Sequence, residues 1–287
     1  RYTVLRNGRV AASGPITSQT TADKLVAHML GTERQTANLR VSHPAGSELL
    51  SVHHLTSRDG SLRDISLTVR RGEIVGLAGL VGAGKSELCK ALFGLLPRAA
   101  GEIQLDGREI DPHSPADAVA LGMGLVPEER RKEGLFSGES VSFHLGIASL
   151  KQWSCLSILS SRKLEQNART QIGRLEIKTP STRQCMDLLS GGNQQKAVVG
   201  KWVAAGCQLY LLDEPTKGVD VGAKSEMLQL MTQLAQTGCG VLYASADPSE
   251  LLQVTDRIYI LYRGGIAAEL DAARTSEEEI MYYAIGG

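Results

Sequence analysis

Gly79-Leu80-Val81-Gly82-Ala83-Gly84-Lys85-Ser86 fits the pattern G-x-x-x-x-G-K-[ST]. Glycine tolerates φ > 0 and has no side chain, so successive backbone N–H groups can close around phosphate oxygens. Lys85 is placed to reach β- and γ-phosphates, and the Ser86 hydroxyl to ligate Mg²⁺. Glu73-Ile74-Val75-Gly76-Leu77-Ala78 reads as a buried strand before the loop, and residues 86–93 as a helix whose N-terminus faces the anion. Glu87 extends the candidate cradle into that helix. The alternative is a Gly-rich turn that binds nothing, but a strand before and a helix after are the context the motif requires.

The chain has 287 residues, and 31 Lys+Arg against 31 Asp+Glu leave a formal net charge of +0. That balance argues against nucleic acid or an anionic membrane surface as the main partner. Five cysteines, Cys89, Cys155, Cys185, Cys207 and Cys239, are scattered with no C-x-x-C pair. They suit reduced core thiols better than a disulfide framework or a zinc site. No apolar run reaches the roughly 18–20 residues of a membrane span.

Arg1-Tyr2-Thr3-Val4-Leu5-Arg6-Asn7-Gly8-Arg9-Val10 parallels Arg257-Ile258-Tyr259-Ile260-Leu261-Tyr262-Arg263-Gly264-Gly265-Ile266. Both read as strand, Gly turn and strand, and a helix is expected after each, from Thr21 to about Gly31 and from Ser276 to about Gly286. Two copies one domain apart suggest a duplicated parent chain. The expected organisation is therefore the tail of a preceding homologous domain over 1–31, a linker over 32–48 and the domain proper over 49–287. Residues 49–53 and 65–69 alternate like strands of an antiparallel layer around the turn Arg58-Asp59-Gly60. His53 and His54 read as strand-edge residues, not metal ligands. From about Ser140 to Cys185 the pattern turns helical, with Leu164, Ala168, Ile172 and Leu175 at helix spacing, which predicts a helical insert over about 138–190. Trp153 and Trp202 read as packing residues.

Two further stretches complete a candidate site. Leu189-Ser190-Gly191-Gly192-Asn193-Gln194-Gln195-Lys196 is a turn opening a helix, where backbone N–H groups and a hydroxyl can meet an anion. Read alone, Ser190 would be an ordinary helix cap. The apolar strand Leu209-Tyr210-Leu211-Leu212 ends in Asp213-Glu214-Pro215-Thr216. One carboxylate at such an end suits Mg²⁺, and the other suits the attacking water.

In this order, and with a helical insert, these motifs resemble ATP-binding-cassette ATPases over about residues 49–287. Val126-Pro127-Glu128-Glu129-Arg130, Ser190-Gly191-Gly192-Asn193-Gln194-Gln195-Lys196 and Gly218-Val219-Asp220-Val221-Gly222-Ala223-Lys224 are similar to the second cassette of bacterial carbohydrate importers of the ribose, galactose and xylose type. Nucleoside importers share the signature turn but differ around the phosphate loop, and stay a close alternative. The resemblance implies an α/β P-loop NTPase of the ABC type, with a mixed central sheet, an antiparallel β layer and an inserted helical subdomain. It also implies a head-to-tail sandwich of two cassettes. Lys85, Ser86, Asp213 and Glu214 would serve one ATP, with Glu128 a further contact to Mg²⁺. Ser190, Gly191, Gly192 and Gln194 would complete the ATP site of the other cassette. The implied partners are the N-terminal cassette of the same parent chain, membrane permease subunits and a periplasmic sugar-binding protein, at the cytoplasmic face of the bacterial inner membrane.

Departures from the family pattern bear on hydrolysis. Where such ATPases carry a His beside the γ-phosphate, the strand 241–245 is followed by Ala246 and Asp247, and no histidine follows His144. Glu128 stands where Gln is usual, and no aromatic lies between Val52 and Arg71 to stack on adenine. The expectation is a cassette that binds Mg-ATP and turns it over slowly or not at all. A soluble ABC ATPase and a non-hydrolysing regulatory cassette are the competing readings.

Overall fold

A computed structural model describes residues 1–6, 9–17, 20–21, 25, 46–155 and 158–287. The chain divides into two compact units, residues 1–39 and 40–287. In the first, β1 (Tyr2–Arg6) and β2 (Arg9–Gly14) form an antiparallel pair with a register shift at Val4/Leu5. The helix expected after Thr21 and most of the expected linker lie outside the described residues.

The second unit is built on two sheets. One is antiparallel, in the order β4 (Ile65–Arg70), β3 (Glu48–Ser57), β6 (Arg98–Leu105), β7 (Arg108–Ile110). The burial of β4 alternates, as expected of a sheet with one solvated face. The other sheet has six strands: β14 (Gly265–Asp271), β13 (Arg257–Tyr262), β5 (Ile74–Ala78), β12 (Gly240–Ala244), β11 (Leu209–Asp213) and β8 (Met123–Val126). All neighbours are parallel except β13 and β14. β5, β8, β11 and β12 are buried at every residue, which is why each reads as an apolar run, broken only by Asp213 at the end of β11.

Arg257 ties the two sheets. Its guanidinium donates to both carboxylate oxygens of Glu73, at 2.7 and 3.1 Å, to Glu269 on β14 at 2.5 Å, and to the Thr68 carbonyl on β4 at 3.1 Å. Glu73 is buried, so this pair is satisfied by geometry and not by water.

The helical region departs in detail from the pattern read in the sequence. Helix α1 (Lys85–Leu92) follows β5, and α2 (Pro115–Ala120) is capped by Ser114. Helix α3 (Val141–Gly146) runs into a 3-10 turn, Ile147–Trp153. A two-residue hairpin, β9 (Ser154–Cys155) with β10 (Ile158–Leu159), then interrupts the expected helix before α4 (Ser161–Arg174). Strands this short leave no periodicity to read. On α4, Ala168 is buried as expected, but Asn167 and Gln171 share its buried face, and Asn167 donates to the Leu145 carbonyl at 3.1 Å. Helix α5 (Gly191–Ala205) packs on α3, and the absent side chain of Gly200 lets Leu145 and Leu175 meet there. Trp202 is a packing residue, edge-on to Phe93 and donating to the Leu125 carbonyl at 2.7 Å. Helices α6 (Val221–Gln236), α7 (Pro248–Val254) and α8 (Glu277–Ala284) complete the unit. Among the described residues no helix is long and apolar enough to cross a membrane.

Candidate functional site

Strand order places the site. β5, β12, β11 and β8 are parallel neighbours, so the segments leaving their C-terminal ends converge on one edge, the usual place for a ligand in an open α/β sheet. Those segments carry the phosphate loop, Ala246, Asp213-Glu214 and Glu128.

The phosphate loop takes the conformation its glycines permit, with φ of 150° at Gly79, 80° at Gly82 and 111° at Gly84. A Cβ on Gly79 would stand 2.6 Å from the Leu261 carbonyl oxygen, whereas one on Gly82 would meet nothing. The cradle is thus tight on its inner wall and open outward. Gly84 opens α1 with no side-chain cap, and among the described residues the N–H groups of Gly82, Gly84, Lys85 and Ser86 find no protein acceptor. Leu80 and Val81 are exposed, and Ala83 is buried with its carbonyl accepting from the Gly264 N–H at 2.9 Å. That bond braces the loop from the hairpin between β13 and β14. Lys85 is buried and folds over the loop, its Nζ 2.8 Å from the Gly79 oxygen and 3.7 Å from Glu214 Oε1. Glu87 sits in the first turn of α1, half-buried.

Three carboxylates face Lys85 and Ser86. Asp213 ends β11, is buried, and has one oxygen, Oδ1, with no hydrogen-bond partner. Burial pushes its pKa up to about 6, against the Ser86 hydroxyl and the Lys85 charge, which hold it down. Glu214 has its pKa raised by burial, with Lys85 opposing, and its backbone is left-handed, φ 46°. Glu128 is held by Lys217, Nζ to Oε1 2.6 Å, and that bond lowers its pKa, helped by Lys85 and the Ser86 hydroxyl. An orphaned buried carboxylate oxygen beside a hydroxyl, below a ring of free N–H groups, fits a magnesium-bound polyphosphate.

The signature turn stands apart from the phosphate loop. Ser190 precedes α5 without capping it, and its Oγ accepts instead from Asn193 at 2.8 Å. Gly191 lies beside the Arg130 guanidinium and the Gly218 carbonyl, whereas a Cβ on Gly192 would stand 2.4 Å from that of Ala223, so Gly192 leaves no room for a side chain. Gln194 is buried and donates inward to the Met186 carbonyl at 3.2 Å, because its place on the first turn of α5 points it into the helical region.

Residues 62–217 match the family described as ABC transporter. The chain belongs to the ABC transporter family. The cassette is 42% identical over 288 residues to the ribose import ATP-binding protein RbsA 1 of Rubrobacter xylanophilus, covering 100% of this chain and 57% of that protein. It is 40% identical over 285 residues to a putative ribose/galactose/methyl galactoside import ATP-binding protein of Rhizobium etli, covering 99% of this chain and 54% of the relative. The chain thus spans about half the length of the curated relatives it matches. A nucleotide-free ATP-binding cassette from an ABC transporter aligns with a TM-score of 0.68 at 20% identity, over 82% of this chain and 94% of that one. The dimeric post-hydrolysis cassette MJ0796, bound to ADP and phosphate, aligns at 0.68 and 18% identity, over 78% and 99%. At those identities the likeness shows the fold. The mixed sheet, antiparallel layer and helical region expected of an ABC-type P-loop ATPase are those of this cassette.

Sequence reading missed several residues around the cassette's site. Lys217 engages Glu128, Arg130 backs the signature turn, and Gly264 braces the phosphate loop. His54 stands at a left-handed bulge of β3, exposed and 2.6 Å from Asp64. Among the described residues, no cluster of His, Cys, Asp and Glu forms a separate metal site.

Proposed function

We propose that this chain is one cassette, the C-terminal one, of the ATP-binding subunit of a bacterial sugar importer of the ribose/galactose type. The observation that carries the reading is the convergence of Lys85, Ser86, Asp213, Glu214 and Glu128 on one sheet edge, with the signature turn held elsewhere. The relatives named for ribose and galactose import support the substrate class, and their length supports a second cassette in the parent chain. Residues 1–31 would then be the tail of that first cassette.

In this reading the N–H groups of Gly82, Gly84, Lys85 and Ser86 hold the β- and γ-phosphates, and Lys85 exchanges the Gly79 carbonyl for a phosphate oxygen. Ser86 and Asp213 would hold Mg²⁺, with Glu128 beside them. Bound Mg²⁺ supplies neutralisation of charge on the phosphate oxygens. Glu214 orients the attacking water and accepts its proton, a task its raised pKa favours. Ser190, Gly191 and Gly192 would serve the nucleotide of the partner cassette, and closure of the pair would move the permease at the cytoplasmic face of the inner membrane. Positioning and electrostatics supply most of phosphoryl-transfer catalysis. With Ala246 where a γ-phosphate-facing His is usual, the Lys85 site would bind ATP well and turn over slowly.

The test is Mg-ATP turnover by the purified chain over a range of protein concentrations, with Lys85→Ala as control. Turnover rising faster than linearly, and absent from the control, supports a working sandwich of two copies. Absence of turnover with retained ATP binding favours the second reading, a cassette that does not hydrolyse by itself, for which Ala246 is the specific observation.

A further inference from the structure

The segment from Glu214 to Lys224 is pinned at one buried carboxylate outside the nucleotide site. Glu250, on α7, is buried and accepts from Thr216 Oγ1 at 2.6 Å, from the Tyr243 hydroxyl on β12, and from Lys224 Nζ at 2.5 Å. Lys224, in the first turn of α6, also reaches Asp247 Oδ2 at 3.1 Å, and Asp247 caps α7 through the Ser249 N–H at 3.0 Å. One carboxylate therefore joins β12, α7, the connection after β11 and the start of α6. Tyr243 and Thr216 are themselves buried, so the network is shielded from water on most sides.

What it holds is functional on both flanks. On one, Glu214 keeps a left-handed backbone, a conformation costly for a residue with a side chain and stable only where its surroundings over-determine it. Its N–H is tied to the Ala244 carbonyl at 3.0 Å, and two residues on, Thr216 is tied to Glu250. On the other flank, Gly218 and Ala223 form the surface against which Gly191 and Gly192 pack. Ala223 is the immediate neighbour of Lys224.

We propose that Glu250, neutralised by Lys224, is the positioning residue that fixes Glu214 and the backing of the signature turn in one rigid frame. Glu250 acts through Thr216 and Lys224. Because Glu214 and the signature turn belong to different nucleotide sites of a sandwich, loosening the frame slows turnover at either. The inference rests on the reading of Lys85 and Ser190–Gly192 as halves of two ATP sites.

The experiment measures ATP turnover and affinity for a fluorescent ATP analogue in the assembled, full-length importer, for Thr216→Val, Thr216→Ser, Lys224→Met and Lys224→Arg. Misplacing a reacting group by about 1 Å can cost on the order of 100-fold in rate. We expect Thr216→Val and Lys224→Met to lower kcat at least about tenfold with KM and analogue affinity within about twofold, while Thr216→Ser and Lys224→Arg stay near the unaltered protein. Unchanged kcat in Thr216→Val and Lys224→Met overturns the proposal. So does a parallel loss of kcat, affinity and thermal stability, or failure of both conservative variants to keep turnover. Unaltered protein that hydrolyses ATP without importing sugar overturns the importer reading alone, because turnover still reports the frame. Unaltered protein that binds no Mg-ATP overturns both.

Discussion

Lys85 Nζ lies 3.7 Å from Glu214 Oε1 and donates to the Gly79 carbonyl at 2.8 Å, so the phosphate-loop cation is spent on its own loop until a phosphate replaces that oxygen. Removing it takes away a charge-assisted contact to nucleotide and leaves Glu214 facing Asp213 and Glu128 without a counter-charge. Lys85→Ala is expected to weaken Mg-ATP binding by about 10- to 100-fold, corresponding to roughly 1.5–3 kcal/mol for hydrogen bonds to a charged group. Calorimetric titration reads this directly.

Ala246 is exposed beside a hollow of about 120 Å³ lined by Gly79, Leu80, Met281 and Ala284. A larger side chain fits there without displacing the core. Ala246→His places an imidazole next to the phosphate loop and is expected to raise turnover at the Lys85 site at least tenfold, since a well-positioned acid or base contributes about 10²–10⁴-fold. A steady-state ATPase assay against the unaltered protein decides it.

His144 offers a pH test away from the nucleotide. It is buried, its Nδ1–H donates to the Ser140 carbonyl at 2.8 Å, and its Nε2 accepts from the Phe136 N–H at 2.9 Å. Burial lowers its pKa, opposed by the Ser140 carbonyl and reinforced by Lys201. The unfolded imidazole gains a proton near pH 6.5 while the folded one resists it, so this contribution is complete above about pH 6.5 and is lost as pH falls below it. Urea midpoints are expected to drop between about pH 7.5 and 5.5, less steeply in His144→Gln.

Breaking the Arg257–Glu73 pair from one side strands a buried carboxylate. Arg257→Ala is expected to destabilise the fold by about 3–5 kcal/mol, and adding Glu73→Gln to recover part of that loss. Chemical denaturation of the single and double variants measures both.

The phosphate loop and the Asp213-Glu214 strand end were legible because their constraints are local. A left-handed turn demands glycine at particular positions, and a strand buried on both faces must be apolar until it reaches the site edge. Glu250 gave no such signal, since its partners come from β12, α6 and the connection after β11. Nor could the sequence show that Gln194 points inward, because that depends on how α5 is rotated against the turn Met186–Leu188. The hairpin at β9 and β10 escaped because two-residue strands carry no period. Ser190 reads as part of an anion-binding turn, with a helix cap as the alternative, and only the structure shows its hydroxyl engaged by Asn193.

The Gly264 N–H that holds the Ala83 carbonyl lies outside residues 62–217, the stretch by which the family is matched. Leu261, which closes the inner wall of the loop at Gly79, lies outside it as well. A chain shortened before Arg257 would therefore keep every motif that names it and lose two of the walls that shape its phosphate loop. For this fold, possession of the motifs and possession of the site are separate properties, and an excised or fused fragment inherits the second only with its last hairpin.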